Sequence, residues 1–222
     1  MKNKNSTHIF LSYFMNENTP LYGGDFGVKV TSSRSIINGD TANTKNIYLN
    51  NHSGTHVDYP NHFFDNGLNS DNYSASFWNF ENPFLLLLPA HENQIIEFKK
   101  KHLDKIPKNT DFLIIKTGFG LHRGKECYWK NNPGISPSSA TILRSSLPKV
   151  KVLGMDFISL TSFQNRELGR ESHRSFLGGE HPILLIEDMD LSQLSTSPLS
   201  IQCLPLLISG LDGAPVSIIA KI

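Results

Sequence analysis

The sequence predicts a mixed α/β domain in which strands outnumber helices. Most of its apolar runs are short and end near Pro, Gly, Asp or Asn, which is typical of buried strands. Segments with helical periodicity are fewer. No Pro-, Gly- or Ser-rich linker and no change of composition divides the 222 residues, so we expect a single domain over residues 1–222.

The first strand is predicted within Ile9–Met15. Lys2 and Lys4 precede this apolar stretch and give it some likeness to a signal peptide, but Ser12 and Tyr13 interrupt it and no small-residue cleavage site follows. We therefore expect a strand here and a cytoplasmic location. The further predicted strands are Phe84–Leu88, Phe112–Thr117, Val150–Asp156, Ile183–Glu187, Cys203–Ser209 and Val216–Ala220.

Two segments are predicted to be helical. His91–His102 spaces apolar residues among charged ones. Ser136 followed by Pro137 is typical of a helix cap and first turn, and it predicts a helix that runs to about Leu147.

Charge and cysteine content exclude several classes of protein. Lys and Arg number 21, Asp and Glu number 20, and the formal net charge is +1, so nothing indicates binding to nucleic acid or to a membrane surface. The apolar run Phe84–Pro89 is too short to span a bilayer. Cys127 and Cys203 form no C-x-x-C pair, and we expect free thiols rather than a disulfide.

The most informative segment runs from His52 to His62. It holds three of the nine histidines, with His56 as the third, and also Asp58. Imidazole and carboxylate are ligands that zinc and manganese accept. The simpler interpretation is that these are unrelated surface or core histidines, but their concentration in one stretch favours a metal site.

The segment must bend if these side chains share an ion. A fully extended chain separates residues 52 and 58 by roughly 20 Å, whereas metal–ligand bonds are about 2 Å long. Gly54 supplies backbone freedom and Pro60 a rigid turn, and both argue against a regular helix. We expect a strand end that leads into a curled loop.

The stretch His-Ser-Gly-Thr-His-Val-Asp-Tyr-Pro-Asn-His-Phe (52–63) resembles the H-x-G-T-H-x-D-x-P-x-H-F signature of the cyclase family, which includes bacterial kynurenine formamidases and isatin hydrolases. Further segments resemble the family in the same order, so the resemblance covers nearly the whole chain. They are Thr19–Asp25, Asp111–Phe119, Pro133–Ser136, Gly154–Ser159, Leu204–Leu206 and Gly210–Val216.

The resemblance implies a β-rich domain of the swivelling β/β/α type and a complete set of metal ligands. Ser172–Leu177 and Ile183–Met189 are similar to the family segments that supply a histidine to a second ion and a glutamate that bridges both ions. The implied ligands are His52, His56, Asp58 and Glu187 for one ion, and Asp58, His173 and Glu187 for the other.

Alternatives remain open for the two distant ligands. Glu180 and His181 lie in the same segment, and His173 could instead cap a helix or lie at the surface. Glu187 has independent support, because it ends an apolar strand where a carboxylate needs a strong partner. Asp188 could replace Glu187, but it would point to the other face of the strand.

The implied reaction is hydrolysis of a C–N amide bond by metal-activated water. His62 would then be the general acid/base, or alternatively a further metal ligand. The implied cofactor is a divalent metal, as one or two ions, with Zn²⁺ favoured and Mn²⁺ an alternative because the same ligands suit both.

The substrate is predicted less sharply. Tyr22 stands where formamidases of the family have a tryptophan, and it could stack on an aryl ring or serve only as a turn or core residue. Thr161 stands where many members have an acid, which weakens the inference of substrate. Other aromatic residues could line a pocket but are expected mainly in the core; they are Phe63, Phe64, Phe77, Trp78 and Phe80.

Three functions stay open. The first is an arylformamidase that converts N-formyl-L-kynurenine to L-kynurenine and formate. The second is an isatin-hydrolase-like enzyme that opens a cyclic amide or lactone, and the third is a metal-binding protein without turnover. The expected partners are a small-molecule substrate and, from the resemblance, further copies of the chain in a homodimer or homotetramer.

Overall fold

The structure is a computed structural model, and it describes residues 7–25 and 27–222. Strands dominate these residues. They are β1 His8–Phe10, β2 Val28–Arg34, β3 Thr44–Leu49, β4 His56–Asp58, β5 Asn79–Phe80, β6 Pro83–Leu87, β7 Ile95–Ile96, β8 Phe112–Lys116, β9 Gly134–Ile135, β10 Val152–Met155, β11 Leu184–Glu187, β12 Ser200–Pro205 and β13 Gly213–Lys221. The α-helices are α1 Lys100–Leu103, α2 Cys127–Lys130, α3 Ser138–Ser146 and α4 Arg166–Leu177.

One large sheet organises these elements. Its strands follow the order β5-β12-β13-β4-β11-β10-β8-β6, and β1 also pairs with β13. The strands from β6 to β11 in this path are parallel, whereas β4, β13, β12 and β5 pair antiparallel. The end strands β5 and β6 are consecutive along the chain, and the sheet is nearly closed and barrel-like. The short strand β4 therefore lies in the middle of the sheet.

The core lies against the parallel strands. Phe112–Ile115 and Leu185–Ile186 have no exposed surface, as expected for parallel strands that are covered on both faces. Helix α4 packs on β11 and against α3. The sheet and this helix together fix the positions of residues from distant parts of the chain.

Most predicted strands are confirmed. The predictions around residues 84–88, 112–117, 150–156, 183–187 and 216–220 correspond to β6, β8, β10, β11 and β13. The strand predicted at Cys203–Ser209 begins earlier and ends at Pro205. The strand predicted within Ile9–Met15 is only partly present, as β1 and an isolated bridge from Ser12 to Met189.

The two helix predictions had different outcomes. The helix predicted from Ser136 is confirmed as α3. The helix predicted over His91–His102 is wrong, since Ile95 and Ile96 form β7 and pair in parallel with β9. Only the last part of that segment is helical, in α1. The short apolar run at Ile95 and Ile96 therefore forms a strand, because a pairing partner far away in sequence is available to it.

Two elements carried no sequence signal that we used. The hairpin of β2 and β3 is largely exposed, and α4 is rich in Arg, Glu and Ser. Cys127 and Cys203 are free thiols, as predicted. Among the residues that the structure describes, no helix has the length and apolar character needed to cross a membrane.

Candidate metal centre

The register of β4 assembles most of the site. His56 is paired with Glu187 of β11, and Asp58 is paired with Gly213 of β13. His56 and Asp58 are two residues apart, so their side chains lie on one face of the sheet, and directly opposed residues on neighbouring strands share that face. Three polar side chains from two strands therefore converge.

The turn before β4 brings in His52. Gly54 has φ of 62°, a left-handed conformation that glycine adopts without a steric cost. A second glycine makes room for the ring, because a Cβ at Gly213 would clash with Cε1 of His52. The predicted bend of the segment is present: residues 51–55 form a turn before β4, and a 3-10 turn over Pro60–His62 follows the strand.

Helix α4 supplies His173 from above the sheet. Nδ1 of His173 donates to the carbonyl oxygen of Gly169 at 2.9 Å, and it lies 3.1 Å from the Thr161 hydroxyl. Nδ1 of His56 is likewise 2.9 Å from the carbonyl oxygen of Gly54. Since a carbonyl only accepts, both rings carry the proton on Nδ1 and direct Nε2 at the cluster, as metal-ligating histidines do.

The nitrogen–oxygen distances at the centre of the cluster exceed ordinary hydrogen-bond lengths. Nε2 of His56 lies 3.4 Å from Asp58 Oδ1 and 3.6 Å from Glu187 Oε2. Nε2 of His173 lies 3.5 Å from Asp58 Oδ2 and 3.4 Å from Glu187 Oε1. Ligand atoms about 2.0–2.1 Å from a common tetrahedral ion are separated by about 3.4 Å. The donor set and its spacing fit a divalent cation.

The carboxylates of the cluster need positive charge. The side chains of Asp58 and Glu187 are 1% and 5% exposed, and no Lys or Arg of the described residues forms an ion pair with either. Buried carboxylates without a cationic partner are strongly unfavourable. In this arrangement the charge comes from protonated imidazoles or from a metal ion that replaces their protons.

The histidines respond to this negative charge. Burial lowers the pKa of the His173 imidazole, but the Asp58 and Glu187 carboxylates outweigh it and raise the pKa to about 10. Burial likewise lowers the pKa of His52, but the hydrogen bonds with Asp212 and Asp58 outweigh it and raise this pKa to about 10. Against its own burial, Asp58 has its pKa lowered well below the usual range by these imidazoles.

Glu187 is further fixed by the loop that follows β10. Its Oε1 accepts from the backbone N–H of Leu160 at 2.6 Å and from the Ser159 hydroxyl at 3.3 Å. The next residue, Asp188, turns away with φ of 52° and accepts a bidentate pair from Arg123 and a bond from Tyr128. Asp188 therefore lies just beyond β11, is held by Arg123 and Tyr128, and does not replace Glu187 in the cluster.

His62 lies at the rim of the cluster and contacts a residue that the sequence analysis missed. Its Nδ1 is 2.8 Å from Oδ2 of Asp212, and the same oxygen is 3.0 Å from Nε2 of His52. Asn51 donates to the other oxygen of Asp212 at 2.7 Å. These histidine bonds lower the pKa of Asp212. Asp212 lay within a family-like segment, but nothing in that segment distinguished it from an ordinary Asp-Gly turn.

These side chains form one end of an open cavity of about 470 Å³. All predicted site residues line it: His52, His56, Asp58, His62, His173, Glu187 and Tyr22. The rivals Glu180 and His181 do not; both are exposed elsewhere. Of the aromatic candidates only Phe63 lines the cavity, where it stacks on His173 with ring centroids 4.7 Å apart. The sequence analysis did not identify Phe163, Arg166 or Arg170, which also line it.

The chain is similar to known proteins along most of its length. A family model described as "Putative cyclase" matches residues 9–161. Cyclase-like protein 1 of Arabidopsis thaliana is 30% identical over 82% of this chain and 70% of its own length. Kynurenine formamidase of Bacillus thuringiensis subsp. konkukian is 24% identical over 98% of this chain and 99% of its own length.

The fold is also similar to that of solved structures. Isatin hydrolase A from Labrenzia aggregata superposes with a TM-score of 0.82 at 16% sequence identity, covering 98% of this chain and 94% of that chain. The mixed, strand-rich fold expected from the sequence is therefore confirmed.

Proposed function

We propose that this chain, which belongs to the cyclase family, is a metal-dependent hydrolase that cleaves a C–N amide bond. One observation carries the proposal. Two buried carboxylates, Asp58 and Glu187, face imidazole nitrogens at 3.4–3.6 Å on the wall of an open cavity. Such a set has the charge and donor atoms of a catalytic metal site with access for substrate.

The proposed ligands are those that the family resemblance implies. His52, His56, Asp58 and Glu187 would hold one ion, and Asp58, His173 and Glu187 would hold a second. A bound divalent ion would supply Lewis acidity, which lowers the pKa of water and polarises a carbonyl. We propose Zn²⁺, with Mn²⁺ as the alternative for the same nitrogen and oxygen donors.

We propose His62 as the general acid/base. Its side chain is 31% exposed and lies at the rim of the cluster, so it can exchange protons with water and with a bound substrate. Asp212 is the positioning residue, because its carboxylate 2.8 Å from Nδ1 holds the ring with Nε2 directed away from it. His62 would take a proton from the attacking water and deliver it to the leaving nitrogen.

The proposed substrate is an aryl formamide, N-formyl-L-kynurenine in the first instance. The likeness to a kynurenine formamidase that spans 98% of this chain supports it. Tyr22, Phe63 and Phe163 line the cavity and offer ring faces and edges to an aryl group. Tyr22 would contribute to substrate binding in place of the tryptophan of the family's formamidases.

A parallel assay tests this proposal. Purified protein would be loaded with Zn²⁺ or Mn²⁺, its metal content measured, and hydrolysis of N-formyl-L-kynurenine and of isatin followed side by side. Faster turnover of the formamide supports the arylformamidase. Turnover of isatin alone favours the cyclic amide or lactone hydrolase, and a metal-replete sample that hydrolyses no formamide, cyclic amide or lactone leaves a binding protein without turnover.

We further propose that residues 1–222 act as one domain and that the chain forms a homodimer or homotetramer. One contiguous apolar core supports the single domain. The hairpin of β2 and β3 supports self-association, because Ile47 and Tyr48 are 67% and 63% exposed and Ile37 between the strands is 92% exposed. Light scattering would give the number of chains. We also propose a cytoplasmic location, in line with the two free thiols.

A further inference from the structure

The outer wall of the cavity carries two positive charges that the proposed chemistry does not use. Arg166 and Arg170 line the cavity together with His173, all from α4. Their spacing of four and three residues places them on one face of the helix. At about 1.5 Å of rise per residue, the Cα atom of Arg170 lies about 4.5 Å from that of His173 along the helix axis, and the Cα atom of Arg166 lies about 10.5 Å from it.

Neither guanidinium has an anionic partner. Among residues 7–25 and 27–222, no carboxylate forms an ion pair with Arg166 or Arg170. Two other arginines differ: Arg123 is bound by Asp188, and Arg144 donates to three backbone carbonyls. The two cavity arginines are therefore available to a ligand.

The surroundings of these arginines suit an aromatic ligand. The Arg166 guanidinium lies 3.9 Å over the Phe163 ring, and Phe163 is in edge contact with Tyr22 at 5.5 Å. The Tyr22 hydroxyl is buried and makes no hydrogen bond of ordinary geometry, although the Arg166 guanidinium lies close enough to act on it as a donor. Burial raises the pKa of Tyr22, whereas the charges of Arg166 and Arg170 act to lower it, so both guanidinium groups lie close enough to influence this hydroxyl.

We propose that Arg166 and Arg170 bind the carboxylate of an aryl amide substrate, so that the enzyme selects amides that carry a carboxylate over amides that lack one. The inference rests on the proposed hydrolase function and specifies its substrate class. Guanidinium groups recognise carboxylates through paired, charge-assisted hydrogen bonds. The ring of the substrate would lie against Phe163 and Tyr22, with its amide toward the metal ligands and its carboxylate toward the outer wall.

The kinetic test uses matched substrates and a matched control residue. 4-Formamidobenzoate and formanilide share the reacting group and differ in the carboxylate. For Arg166→Gln and Arg170→Gln, kcat/KM for the anionic substrate should fall by between about 10- and 100-fold each, mainly through KM, because one charge-assisted interaction is lost. Formanilide has no carboxylate to lose an interaction, so its kcat/KM should change by less than about threefold.

Arg174→Gln is the control. Arg174 is exposed on the same helix and does not line the cavity; its guanidinium lies 5.7 Å from the Phe63 ring. It should leave the preference for the anionic substrate unchanged. Equal losses on both substrates, no loss on either, or the same change in Arg174→Gln would overturn the proposal.

A binding measurement separates this proposal from the proposed function. Calorimetry would compare benzoate with benzamide on the metal-loaded wild type and on the Arg166→Gln, Arg170→Gln double variant. Benzoate affinity should fall at least about tenfold in the variant, with benzamide unaffected. That result in a protein that hydrolyses no amide would refute the hydrolase and keep the anion site. Benzoate binding that is independent of both arginines would refute the anion site, even in an active enzyme.

Discussion

Replacing His62 with Asn should remove most turnover while the metal stays bound. The proposed role depends on one ring that lies 2.8 Å from Asp212 and at the rim of the cluster. General acid–base catalysis contributes about 10²–10⁴-fold, or about 2.7–5.5 kcal/mol of the barrier. Because His62 would serve both the attacking water and the leaving nitrogen, we expect a loss of kcat of about 10³-fold.

The same substitution should cost little stability. The His62 side chain is 31% exposed and its main polar contact is with a partly exposed Asp212, so the free energy of unfolding should change by no more than about 1 kcal/mol. The fold and the other ligands would therefore remain, and the kinetic loss could be assigned to chemistry.

The assay combines kcat, denaturant unfolding and metal content by mass spectrometry. His91→Asn is the matched control, since His91 is exposed and does not line the cavity. Full activity in His62→Asn would refute the acid/base role. A metal content lower by one ion, with activity restored by excess metal, would assign His62 as a ligand instead.

Three further predictions follow from the contacts around the centre. Asp212→Asn should lower kcat and weaken metal binding by about 10–100-fold, because partners of ligating histidines tune them; unchanged values for both would remove Asp212 from the site. Arg123→Ala leaves the buried Asp188 without its ion-pair partner and should lower the free energy of unfolding in urea by about 3–5 kcal/mol; a loss under about 1 kcal/mol would show that the pair is dispensable. In metal-free protein, His52 and His173 have pKa values raised from 6.5 to about 10. Their protonation stabilises the fold below about pH 6.5, and this stability is lost as pH rises toward 10. The difference in Tm between metal-bound and metal-free protein should therefore grow from pH 6.5 to pH 9, since metal replaces these protons. A Tm difference that shrinks over this range would contradict the linkage.

The local part of the site was predictable because its residues are close in sequence. His52, His56 and Asp58 share one segment, and Gly54 and Pro60 indicated its bend. The pairing of Asp58 with Gly213, by contrast, joins residues far apart in the chain. No local pattern indicates such a contact, which explains why Asp212, the neighbour of Gly213, was missed.

The fold shows the same division. Buried parallel strands are continuous apolar runs, so β8, β10 and β11 could be located from composition alone. Helix α4 was not predicted, because its outward face is charged and only a few of its positions, such as Gly169, Phe176 and Leu177, are buried. The segment around Ile95 and Ile96 was assigned to a helix because its parallel partner β9 lies about 40 residues away.

Metal binding to the Glu187→Gln variant tests the central claim most directly. Metal-free wild type and variant would be titrated with Zn²⁺ by calorimetry, with Glu180→Gln as the control because that exposed glutamate lies outside the cavity. We predict that the wild type and the control bind Zn²⁺ tightly. The Glu187→Gln variant should lose both metal binding and amide hydrolysis. A wild type without affinity for divalent ions, or a Glu187→Gln variant that binds and hydrolyses normally, would contradict the metal centre.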